Sequence, residues 1–137
     1  FTSGLVTQID QWSEDGTGTL LKALTIAYDT SNRVTSFTSQ NNSVNNQQML
    51  YVYTGSNIQA STTAMYSWGG SSWSLLTTGT HTLNGAGTQI NHTSFSPVYV
   101  FGAGDYTYTT SGYYQQQTFY SDTAGTTMTF YIIYSYN

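Results

Sequence analysis

An all-β fold is what this 137-residue chain predicts, and three observations carry the prediction. Turn signals rich in Gly, Asn, Asp and Ser recur along it, separating short runs with period-two alternation. Thr and Tyr, favoured on half-exposed pleated surfaces, dominate the composition, with 13 Tyr beside 6 Phe and 3 Trp. The chain also repeats itself. Ser13, Ser67 and Ser121 each follow an aromatic residue at a spacing of 54, and Leu20-Leu21 precedes Leu75-Leu76 by 55. Tyr28-Asp29, Leu83-Asn84 and Tyr136-Asn137 fall at the matching turns. The expected architecture is an antiparallel β-sandwich, jelly-roll-like or meander, of about ten strands built from an internal repeat of about 55 residues.

Taken in order, residues 5–12 alternate loosely and end at a turn with two glycines, Gly16 and Gly18. Residues 19–28 follow as a strand; their Leu-Leu-Lys-Ala-Leu run has helix propensity, but the equivalent stretch 73–83 is rich in Thr and contains Gly79. A turn at 29–32 returns the chain through 33–39. The polar stretch 40–48 (QNNSVNNQQ) reads as an exposed, mobile loop. Strands at 49–53 and 58–66 pair across Thr-Gly-Ser-Asn, and a hairpin follows with Trp68 and Trp73 flanking Gly-Gly-Ser-Ser. Asn84-Gly85 predicts a type I′ turn with φ > 0 at both central positions. Residues 88–95 end near Pro97, the only proline. Strands at 98–101 and 105–108 flank a Gly-Ala-Gly kink, and 113–120 with 126–136 form the last hairpin. In that final run Met128, Phe130, Ile132 and Tyr134 share one face and no residue is charged, which predicts a strand covered on both faces.

One domain over 1–137 is expected, with repeat copies at 11–65, 66–119 and 120–137. Charged residues make up only 6% of the chain, against about 25% in typical domains. The net charge is −4 and Lys22 and Arg33 are the only basic residues, so the clustered cations that nucleic acid demands are missing. The same shortage disfavours an anionic membrane surface, and no apolar run approaches the roughly 18 residues that span a bilayer. Without cysteine there is neither disulfide nor thiolate chemistry. A surface this poor in charge is expected to be buried against neighbouring copies or covered by glycan. The start at Phe1 suggests a removed secretory signal and an extracellular or cell-surface location.

Tyr28-Asp29-Thr30-Ser31-Asn32-Arg33-Val34 resembles the core of the tyrosine–aspartate (YD) repeats of bacterial extracellular surface proteins, which place a Tyr-Asp-x-x-Gly-Arg-hydrophobic turn between β-strands. Here Asn32 stands for the Gly, and Asn tolerates the left-handed region. The resemblance covers seven residues. It implies a bacterial extracellular β-repeat protein and brings no catalytic residues with it.

The chain is read as non-enzymatic, with no cofactor or metal. Its acids are Asp10, Glu14, Asp15, Asp29, Asp105 and Asp122, most of them at turns; Asp10, Glu14 and Asp15 cluster, but without the spacing of an EF-hand loop. His81 and His92 flank the Asn84-Gly85 turn and could face each other, with no third metal ligand close in sequence. A Ser–His–Asp set can be drawn from any chain this rich in Ser, so its mere availability decides nothing. Asn41 and Asn91 begin N-x-Ser/Thr triplets and are candidate glycosylation sites. Trp68 and Trp73 are the candidates for stacking on a sugar ring.

The function expected is that of a secreted structural subunit of an extracellular filament or appendage, assembling into a homopolymer by β-strand addition. Residues 1–11, with Leu5, Val6 and Ile9, are the expected donor strand; Phe130, Ile132 and Tyr134 mark the acceptor edge. The alternative is a carbohydrate- or receptor-binding β-module, an adhesin or fibre head, whose glycan partner meets the aromatic turns.

Overall fold

A computed structural model describes residues 4–13 and 17–136. Every regular element in them is a strand: β1 (Gln8–Trp12), β2 (Leu20–Tyr28), β3 (Val34–Asn41), β4 (Val44–Val52), β5 (Thr62–Trp68), β6 (Trp73–Leu83), β7 (Ile90–Ser96), β8 (Ala103–Tyr108), β9 (Tyr114–Tyr120) and β10 (Met128–Ile133). They form one open antiparallel sheet in chain order, β1 to β10. The meander form of the expected topology is therefore the one found, without the crossovers a jelly roll requires. Among the described residues there is no helix, hence none long and apolar enough to cross a membrane.

Two compact units divide the chain. The first takes residues up to Tyr51 together with Ala64–Leu76. Its register places Ile26 opposite Phe37 and Phe37 opposite Met49, so one face carries an apolar row. Phe37 meets Tyr51 edge-on, ring centroids 5.7 Å apart. Leu24, Phe37, Met49, Tyr51 and Met65 line a depression of about 260 Å³ on this face.

The second unit takes Val52–Thr63 and everything from Thr77 on. Its interior is built from small side chains: Ala60, Thr77, Thr93, Ala103 and Thr118 are all buried. Small residues are needed because strands and aromatic rings approach closely. The Tyr106 ring lies over Gly104, and a Cβ at Gly102 would collide with the backbone of Asp122 and Thr123. Phe119 packs against Phe130 and Phe101 at 4.8 and 4.9 Å.

A single turn recipe recurs at four hairpins. The first residue of each turn, Asp29, Asn84, Thr109 or Asp122, accepts the backbone N–H four residues on, at 2.9, 2.9, 3.2 and 3.1 Å. The fourth residue of each, Asn32, Gly87, Gly112 or Gly125, has positive φ. A polar acceptor first and a left-handed residue fourth is what these turns require.

Several expectations are corrected. Residues 40–48 are not a loop. β3 and β4 run through them to a two-residue turn in which Asn42 and Ser43 have φ of 48° and 63°, the signs of a type I′ turn. Polar side chains bond across the pair, Gln40 Nε2 donating to Asn45 Oδ1 at 2.9 Å and Gln48 Nε2 to Thr38 Oγ1 at 3.2 Å, so polarity here is compatible with a paired strand. Asn84-Gly85 is not a type I′ pair either; the turn spans 84–87, closes through Gly87 N–H to the Asn84 carbonyl at 2.9 Å, and puts its positive φ at Gly87. Residues 98–101 form a connection after a cis Ser96–Pro97 bond, not a strand. The strand expected over 58–66 begins at Thr62. Lastly, β10 is not covered on both faces: all six of its residues are exposed, and as the last strand in the sheet it has a neighbour on one side only.

Candidate functional site

The strand order leaves two edges, β1 and β10, each paired on one side only among the described residues. The N–H of Tyr134 donates to Gln115 O at 3.1 Å, and the β9–β10 register puts Ile132 opposite Gln117 and Phe130 opposite Phe119. Backbone direction alternates along a strand. Phe130, Ile132 and Tyr134 therefore turn their backbone groups toward β9, and Tyr131 and Ile133 turn theirs outward. The same reasoning applies to β1, where Ile26 N–H donates to Thr7 O at 2.8 Å. Ile9, opposite Leu24, faces β2, while Gln8 and Asp10 present their backbone groups to the open edge.

Of the expected donor residues, Ile9 lies within β1, and Leu5 and Val6 precede it. Val6 is tethered through its carbonyl, which accepts the Tyr28 hydroxyl at 2.8 Å. Phe1 to Ser3 lie outside the described residues. At the other edge, Met128, Phe130, Tyr131, Ile132 and Ile133 are all large and exposed, Ile133 at 63%. Tyrosines pin this edge from behind: Tyr134 OH donates to Gln117 Oε1 at 3.1 Å and Tyr136 OH to Tyr114 O at 2.8 Å.

Trp68 and Trp73 meet each other in a T-shape at 5.1 Å across the Gly69–Ser72 turn, both half-buried. Asn41 ends β3 and Asn91 lies in β7, both exposed. Glu14 and Asp15 lie outside the described residues, and Asp10 accepts from Gln8 Nε2 at 2.8 Å.

The two histidines do not face each other. His81 is opposite Thr93 and His92 is its neighbour along the strand, so the imidazoles point to opposite faces. His81 sits between Thr93 Oγ1 at 2.8 Å and Thr63 Oγ1 at 3.1 Å, and burial pushes its imidazole below the ordinary value. His92 heads a different constellation. Its Nδ1 is 2.5 Å from Asp105 Oδ1, its Nε2 is 2.9 Å from Ser94 Oγ, and Tyr120 OH donates to Asp105 Oδ2 at 2.7 Å. Burial raises the Asp105 carboxyl, but the hydrogen bonds from His92 and Tyr120 outweigh it and hold the group below the usual carboxylate range. Sequence reading had no means of finding this grouping. Its members come from β7, β8 and β9, and only the register puts His92 opposite Asp105 and Ala103 opposite Tyr120.

No family model matches this chain, and no curated protein matches it in sequence.

Proposed function

We propose that the chain is a structural subunit of an extracellular filament or appendage, extending its sheet from copy to copy by adding β1 of one copy to β10 of the next. The observation that carries this reading is β10: apolar, uncharged, exposed along all six residues and last in the strand order. An edge of that kind is a template for another strand, and the usual protections are missing from it, since it holds neither a charge nor a proline.

The strand count supports the geometry. Ten strands alternate in direction, so a second copy continuing the sheet in the same sense brings its β1 antiparallel to β10. Each added copy exposes a fresh β10, and the process has no closing step. The outward backbone groups of Gln8 and Asp10 meet those of Tyr131 and Ile133 in roughly four hydrogen bonds, contributing about 4 kcal/mol net. Association itself costs about 4–15 kcal/mol, so burial of side chains such as Trp12, Phe130 and Ile132 has to supply the remainder. Assembly is therefore concentration-dependent. The low charge of the chain removes the repulsion that would oppose it.

Proline at an outward position removes a donor from the open edge and leaves the internal ladder intact. Tyr131→Pro blocks the β10 edge and Gln8→Pro blocks the β1 edge. By sedimentation and negative-stain microscopy the native chain forms filaments, each variant alone forms none, and a mixture of the two stops at dimers. A native chain that stays monomeric at millimolar concentration, or variants that polymerise as it does, overturns the reading.

A further inference from the structure

We propose that Ser94 is an activated nucleophile that takes an acyl group from activated esters, with His92 as its general base and Asp105 as the positioning residue. Three distances carry the assignment: Ser94 Oγ to His92 Nε2 at 2.9 Å, His92 Nδ1 to Asp105 Oδ1 at 2.5 Å, and Tyr120 OH to Asp105 Oδ2 at 2.7 Å. With the Nδ1–H tautomer of His92 they lay out a proton path from Ser94 Oγ to Nε2. An ionised Asp105 only accepts, so Nδ1 carries a hydrogen, and in the tautomer that reacts Nε2 presents its lone pair to the Ser94 hydroxyl, which has the Thr123 carbonyl as its other acceptor. Tyr120 occupies the second carboxylate oxygen and keeps Asp105 from rotating away. The nucleophile, its base and the base's orienter thus stand in hydrogen-bonded order.

The surroundings allow approach. His92 and Asp105 side chains are 32% and 45% exposed, and Ser94 lies opposite Thr80 on β6 and Ala103 on β8, two small neighbours. In the reaction Ser94 Oγ bonds to the ester carbonyl carbon as its proton passes to His92 Nε2. The C–O bond to the leaving group then breaks with its electron pair, the alcohol or phenol departs with the proton from His92, and an acyl-serine remains. Water attacks that ester, giving its proton to Nε2, and the carboxylic acid leaves as Ser94 recovers its hydrogen.

Substrate class follows from a feature the site lacks. In the turn above it, the Thr123 carbonyl accepts from Ser94 Oγ at 3.3 Å. The N–H of that peptide unit points the other way, as a trans peptide dictates. The side-chain hydrogen bonds of Ser94 run to His92 and to this carbonyl and bring no backbone donor beside the hydroxyl, and donors to the oxygen that becomes negative during attack are each worth roughly 10²–10³ in rate. Alkyl esters and amides are therefore out of reach. Aryl esters, whose leaving groups depart without help, acylate Ser94, and the acyl-serine, an alkyl ester, accumulates.

The test is to incubate the full chain with p-nitrophenyl acetate, follow nitrophenolate release, and locate the acetyl group by pepsin digestion and mass spectrometry. A burst of about one equivalent followed by slow turnover is expected, with the acetyl on Ser94. Asp105→Asn turns the imidazole to the wrong tautomer and slows acetylation of Ser94 by roughly 10²-fold or more. Mapping on the native chain makes the outcome independent of whether any variant folds. Acetyl found on Lys22, on tyrosines or at the amino terminus with Ser94 unmodified overturns the proposal. So does acetylation of Ser94 no faster than that of other exposed serines.

Discussion

Asp29 Oδ1 accepts the backbone N–H of Arg33 at 2.9 Å while Oδ2 takes the Arg33 guanidinium at 2.7 Å, so one carboxylate closes both the turn and its ion pair. Asp122 repeats the backbone half of this, receiving the N–H groups of Thr126 and Thr127. The Arg33 backbone hydrogen bond is the main reason the Asp29 carboxyl lies below its ordinary 3.8, and the Thr126 backbone bond does the same for Asp122.

Acid should therefore weaken the fold through these turns. Each group binds its proton less readily folded than unfolded, so the unfolded chain gains protons first as pH falls. The stabilisation is complete above the unfolded value of 3.8 and is lost as pH drops through the lower folded values. Urea midpoints measured from about pH 6 to about pH 2 should decline at the acid end. Asp29→Asn and Asp122→Asn should each flatten part of that decline; a flat native profile would contradict it.

His81 sets a second, separate window. Burial lowers its imidazole from 6.5, so the unfolded chain takes up a proton that the folded chain refuses. Stability should begin to fall as pH drops below 6.5, well above the carboxylate range. His81→Gln should lose this descent and keep the one at lower pH. A profile unchanged by the substitution would show that His81 accepts its proton in the folded state.

Two glycines separate steric need from ordinary turn composition. A Cβ at Gly102 meets the backbone of Asp122 and Thr123, which no rotamer change can move aside. Gly102→Ala should lose about 3 kcal/mol, at the upper end of overpacking costs. Gly85 has open space and no positive φ, so Gly85→Ala should be neutral or stabilising by up to about 1 kcal/mol. Guanidinium denaturation of the two variants checks both, and equal effects would rule out the collision.

Ser43 holds a φ of 63° in the β3–β4 turn, a region that penalises a side chain. Ser43→Gly should stabilise by roughly 1 kcal/mol, raising the Tm by about 4 °C. Calorimetry reads the shift, and a lowered Tm would mean the turn is not type I′ in solution.

The strand character of β2, β6, β7 and β9 was legible because alternation and turn residues are local signals. β6 occupies Trp73–Leu83, the stretch alternation marks out. The turns were half legible. Asn84 marks its turn, yet the positive φ falls on Gly87, since the Asn84 side chain is committed to the N–H groups of Thr88 and Gln89. Residues 40–48 are strand and tight turn despite their low hydrophobicity, because polarity alone does not distinguish a loop from a polar strand. Across β3 and β4, Gln40 bonds to Asn45 and the backbone ladder holds the rest of the pairing.

The β class, the approximate strand number, the low charge and the apolar, uncharged character of the last strand are all readable from the residues alone. Those follow from side-chain period, turn chemistry and composition, which act over a few residues. The fold had to supply the rest: that β10 is uncovered with Tyr131 and Ile133 turned outward, that His81 and His92 point to opposite faces, and that His92, Ser94, Asp105 and Tyr120 meet. Each of these depends on which strand lies beside which and in what register. A shift of one residue would send every side chain to the other face, and the polar strands of this chain carry too weak an apolar alternation to set the register by themselves.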